Sequence, residues 1–67
     1  MIRYIVRFGH EYPNVTSASG SYDSQAEAEK RAWEVLGFYT IDDEVISFSQ
    51  IIKIIDGLEE VVAEFEY

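Results

Sequence analysis

DSQAEAEKRAWEVLGF, residues 23–38, is the stretch that decides the fold, because it alone reads as one structure without help from its neighbours. Ser24 followed by Glu27 fits a capping box, in which the hydroxyl accepts from an early backbone N–H and the carboxylate reaches back. Asp23, Glu27 and Glu29 place negative charge at the positive end of the helix dipole. Ala26, Ala28 and Ala32 are strong helix formers among Glu, Lys, Arg and Gln. At about 100° per residue, Ala28, Ala32, Val35, Leu36 and Tyr39 share one side. Glu27 and Arg31 face the other way as an i,i+4 pair. Gly37 suits the left-handed position that ends a helix, with Phe38 folding back on Trp33. The helix is expected over about 24–36.

Working outward, the flanks alternate with the two-residue period of strands. Upstream, Ile2, Tyr4, Val6 and Phe8 alternate with Arg3, Ile5 and Arg7, predicting a strand over about 2–8. Gly9 to Asn14 reads as a loop, and a second strand over about 15–22 would turn Thr16, Ala18, Gly20 and Tyr22 inward. Downstream, Thr40 to Glu44 is a connection that includes one possible helical turn. Strands over about 46–55 and 58–67 then flank Asp56-Gly57, the signature of a two-residue type I′ turn. That turn fixes a register with Ile55 opposite Leu58, Ile52 opposite Val61, Ile51 opposite Val62 and Phe48 opposite Phe65. In this register Ile46, Phe48, Gln50, Ile52 and Ile54 form the core face.

The fold class that follows is α+β: a single ββαββ domain, 1–67, with a four-stranded, mainly antiparallel sheet and one helix packed on one face. Two strand orders remain open, 2-1-3-4 and 2-1-4-3. The helix leaves one sheet face bare, and the pattern sets Ile5, Ile51, Ile55, Leu58 and Val62 on it among charges of both signs. Five aliphatics together suggest a homodimer or docking face.

Composition narrows the function classes. The absence of cysteine rules out disulfides and thiolate metal sites. No apolar run approaches the ~20 residues of a membrane span, and the opening MIRYIVRFG is strand-like, so a cytoplasmic protein is expected. Thirteen acidic against five basic residues give a net charge of −8. That balance argues against direct nucleic-acid or membrane binding and favours a basic protein partner.

Catalytic constellations are not evident. His10, the single histidine, sits in a loop beside Glu11 without a partner at motif spacing. Ser17, Ser19 and Ser21 have no activating pattern, and Asp42-Asp43-Glu44 lacks the ligand spacing of a calcium loop. Neither enzymatic activity nor a cofactor or metal is expected. The acidic residues, by contrast, are arranged. Carboxylates at i, i+2 on a strand recur every ~6.6 Å, close to the separation of successive phosphates along one DNA strand. Asp42, Asp43, Glu44, Glu60, Glu64 and Glu66 are therefore the candidate partner-binding set.

A short, cysteine-free, strongly acidic α/β chain that opens on a strand resembles the small phage-encoded anti-defence proteins, including the anti-CRISPR type. The likeness lies in size, charge and layout, with no diagnostic motif, so no residue role is carried over from it. It implies a non-enzymatic inhibitor, working in the host cytoplasm, that blocks a basic site on a nucleic-acid-handling partner as a nucleic-acid mimic. The alternatives are a homodimeric structural or regulatory module using the exposed sheet face, and a ligand site around His10 and Glu11.

Overall fold

The computed structural model describes residues 1–12, 14–36, 40–41 and 44–66, without the side chains of Thr40 and Ile41. Its elements run β1 (Ile2–Gly9), β2 (Ser17–Tyr22), α1 (Gln25–Val35), β3 (Thr40–Ile41), β4 (Glu44–Val45), β5 (Phe48–Ile55) and β6 (Leu58–Glu66). The main sheet is antiparallel throughout, in the order β2-β1-β5-β6, with α1 on one face. Of the two orders the sequence left open, this is 2-1-3-4, which sets the first hairpin strand, β5, beside β1 and leaves β6 on the outside. The predicted connection at 40–44 differs: Thr40 pairs with Val45 and Ile41 with Glu44 in a separate two-stranded ribbon. The layout is thus an α+β sheet-and-helix unit with an extra ribbon after the helix, not a bare ββαββ.

Local chemistry accounts for the element ends. Ser24 caps α1, its hydroxyl accepting from the Glu27 N–H at 3.2 Å. At the other end Leu36 is extended, with φ −68° and ψ 123°. The predicted stop at Gly37, its Phe38 contact and the Tyr39 end of the stripe lie outside the described residues, as do Pro13, Asp42, Asp43 and Tyr67. Ala28, Ala32, Val35 and Leu36 are buried as the helical period requires. Trp33 is half exposed and lies against Phe65, ring centroids 4.8 Å apart, so β6 supplies its contact. Arg31 reaches Glu34 in an i,i+3 pair at 3.5 Å. The β5–β6 hairpin turns on Asp56 and Gly57, both at positive φ (51° and 83°), as a type I′ turn demands.

Two bulges decide which side chains meet the helix. In β2, Tyr22 pairs with Tyr4 but Ser19 pairs with Val6, so Gly20 and Ser21 together oppose Ile5. Gly20 carries φ +101°, open to glycine and strained for other residues. The inward set of β2 is consequently Ser17, Ser19 and Tyr22 in place of Thr16, Ala18 and Gly20, since Ser17 and Ser19 pair with the buried Phe8 and Val6. In β6 the predicted register holds from Ile55–Leu58 to Ile52–Val61. Val62 is then the extra residue, and Ile51 pairs with Ala63, Gln50 with Glu64, Ser49 with Phe65 and Phe48 with Glu66.

The assignment of faces on β5 is also corrected. Ser49 is fully buried, and its hydroxyl donates to the Ala32 carbonyl at 3.2 Å, so the strand's odd-numbered side chains face α1. Ile51 joins Val6, Phe8, Ala28, Ala32, Val35, Leu36 and Ile46 in the helix-side core, with Val62, Ala63 and Phe65 packed at its margin. A small polar residue fits here because α1 presents Ala28 and Ala32 at this level, which lets the backbones approach. Phe48, Ile52 and Ile54 lie on the opposite face yet are buried too. Tyr12 covers Phe48 with an edge-on ring contact at 5.3 Å. β5 is therefore apolar on both sides, the usual condition of a central strand.

Candidate interaction surface

β6 closes one side of the sheet and, among the described residues, pairs only with β5. Strand alternation and the Val62 bulge together distribute its carboxylates. Glu59, paired with Ile54, Glu64, paired with Gln50, and Glu66, paired with Phe48, lie on the face away from α1. Glu60, paired with Lys53, lies on the helix side. All four are exposed. The predicted line from Glu60 through Glu64 and Glu66 is thus broken by the bulge, and Glu59 takes its place on the open face.

Arg7, also on the open face, crosses β5 to donate to Glu59 at 2.5 Å. The register of the intervening strand places Ile52 between them. Both ends of this pair are partly exposed, which limits its worth to about 1 kcal/mol or less. Its greater effect is to polarise the open face, with Arg3 and Arg7 along β1 and Glu59, Glu64 and Glu66 along β6.

The remaining predicted acidic residues lie elsewhere. Glu44 sits on β4 with a carboxylate oxygen 2.8 Å from Nδ1 of His10. The two atoms are close, but the ring is not aligned for a hydrogen bond. This contact links the β3–β4 ribbon to the loop after β1. No group of three His, Cys, Asp or Glu side chains converges on a metal site among the described residues. No helix among them is long and apolar enough to cross a membrane.

The predicted dimer face does not form one surface. Ile51 is 0% exposed under α1, and Val62 is half-buried at the edge of the same core. Ile5, paired with Ile52, lies on the opposite face. Only Ile55 and Leu58 remain outside, in a row with Ile2 at the turn end of the sheet. Beside them is a hollow of about 320 Å³ lined by Lys53, Ile55, Asp56, Leu58, Glu59 and Glu60. Sequence reasoning passed over Glu59 and the exposed Val61, and placed Leu58 on the dimer face without its acidic neighbour. Their signal is the run Leu-Glu-Glu-Val at the start of an edge strand, two apolar residues enclosing two charges.

Comparison with known protein families, with curated proteins and with solved structures finds no match to this chain.

Proposed function

We propose that this protein is a non-catalytic binding protein that sets the acidic outer strand β6 against a basic, nucleic-acid-handling partner and inhibits it by occupying its nucleic-acid site. The observation that carries this reading is the exposed edge strand with Glu59, Glu64 and Glu66 on one face. Glu64 and Glu66 stand at the i, i+2 spacing that approximates successive phosphates. The net charge of −8 adds long-range attraction for a basic groove. The resemblance in size, charge and layout to anti-CRISPR-type inhibitors is consistent with the same reading.

Salt dependence tests it. A tagged chain incubated with lysate of its source cell's host should retain a basic nucleic-acid-binding protein at low salt and release it at high salt, because exposed charges are screened within about 8 Å at physiological ionic strength. Added nucleic acid should compete for the retained protein. Retention indifferent to both salt and nucleic acid contradicts the reading.

A further inference from the structure

We propose that Leu58–Val61, the first half of β6, receives an added β-strand from the basic partner, and that the facing residues of that strand read apolar-basic-basic-apolar. This rests on the acidic-strand reading and supplies its mode of contact. The edge is available, since β6 pairs only with β5 among the described residues. From the turn-closing pair Ile55–Leu58, antiparallel alternation sends the N–H and C=O groups of Glu59 and Val61 outward, away from β5. Free backbone groups on an edge are the receptor for strand addition, and the side chains beside them set specificity.

Those side chains end four cross-strand rows at the edge, where the Glu59 carboxylate holds Arg7 and Glu60 stands opposite Lys53, each with further acceptor positions toward the edge. Ile2–Ile55–Leu58 ends on a leucine that is 76% exposed, and Ile5–Ile52–Val61 ends on a valine that is 48% exposed. An apolar residue beyond each would continue the row. Arg3–Ile54–Glu59 and Tyr4–Lys53–Glu60 end on carboxylates, one on each face, and opposite charge is the favoured neighbour across a strand pair. The pattern reads the same in both directions, so either strand orientation satisfies it. The Val62 bulge ends regular pairing after Val61 and confines the register to this segment.

The occupant is a basic chain and not a second copy. Residues with outward backbone groups pair only with one another, so antiparallel self-pairing of Leu58–Val61 centres on Glu59 or on Glu60 and sets that glutamate directly against its own copy, and like charges directly opposite oppose pairing. The other outer strand, β2, offers no such code: Ser17–Tyr22 carries no charge and is bulged at Gly20.

The test uses the full chain and two short capped peptides, one with a central Leu-Lys-Lys-Val run and one with Leu-Glu-Glu-Val. The lysine peptide should bind at least about tenfold tighter at low salt. The amides of Glu59 and Val61 should gain protection from hydrogen exchange when it binds. Leu58→Asp, at an exposed position, should keep the fold and weaken binding about tenfold. Glu59→Lys/Glu60→Lys should reverse the peptide preference. Binding of the lysine peptide without protection at Glu59 and Val61, centred instead on Glu64 and Glu66, would overturn strand addition while leaving the acidic-surface reading intact. Equal binding, or none, by both peptides at low salt would overturn strand addition and remove support from that reading as well.

Discussion

Ile51→Glu is expected to unfold the protein, whereas Leu58→Glu is expected to leave it folded. Ile51 has no exposed surface and lies between Val6 and Ala63 beneath α1. A carboxylate there must be buried without a partner or be neutralised, at a cost on the order of 5 kcal/mol. That approaches the whole stability of a domain this size, at ~0.1 kcal/mol per residue. Leu58 is largely in water, and the same change there should shift stability by about 0.5 kcal/mol or less. Circular dichroism and urea titration of the two variants check the contrast. Equal stability of the two would contradict the face assignment.

Gly9→Val is the second large effect. A Cβ at Gly9 would press on the Asn14 carbonyl oxygen and lie 2.9 Å from the Phe48 ring. The first obstacle is backbone, held by the turn in which the Asn14 N–H donates to the Glu11 carbonyl at 2.8 Å. The second is a ring that is itself buried. Neither can yield cheaply, and the Gly9 carbonyl also accepts from the Ser47 N–H at 2.9 Å, tying the start of β5 to the end of β1. The expected loss is about 3 kcal/mol, read as a fall in the urea midpoint with an unchanged slope. A midpoint equal to that of the unsubstituted chain would show that this corner is loose.

These two sites also mark where pattern reading succeeds and where it stops. The Ser24 cap, the alanine stripe of α1, the inward residues of β1 and the Asp56-Gly57 turn were all legible, because each depends on residues close in sequence. Facing on β2 and β6 was not. A bulge inserts one residue and exchanges the two faces for everything beyond it, and strict alternation has no place for that residue. Traces of both bulges were present: glycine between two serines in β2, and three successive apolar residues, Val61-Val62-Ala63, in β6. β5 misled for a different reason. With apolar residues on both faces, its parity is set by where α1 lies, and Ser49 beneath Ala32 reads from sequence as a solvent-facing serine.

The same bulge in β6 rearranged the candidate acidic surface. It exchanged Glu60 for Glu59 on the face carrying Glu64 and Glu66, and left Leu58 and Val61 on either side of the two glutamates along an edge that, among the described residues, pairs only with β5. Glu44, grouped with them by charge alone, lies against His10. Charge count was visible in the sequence, while the pairing that groups the charges is a property of the fold.

The central claim is that the placement of the carboxylates on β6, and not acidity in general, selects the partner. Glu64→Lys/Glu66→Lys and Glu29→Lys/Glu34→Lys each change the net charge by +4, from −8 to −4. The first pair alters β6, and the second alters exposed positions on α1. Partner retention at low salt should fall at least tenfold for the β6 variant and stay within about threefold for the helix variant. Equal retention by the two would mean that the strand is not the contact surface, and would contradict the account.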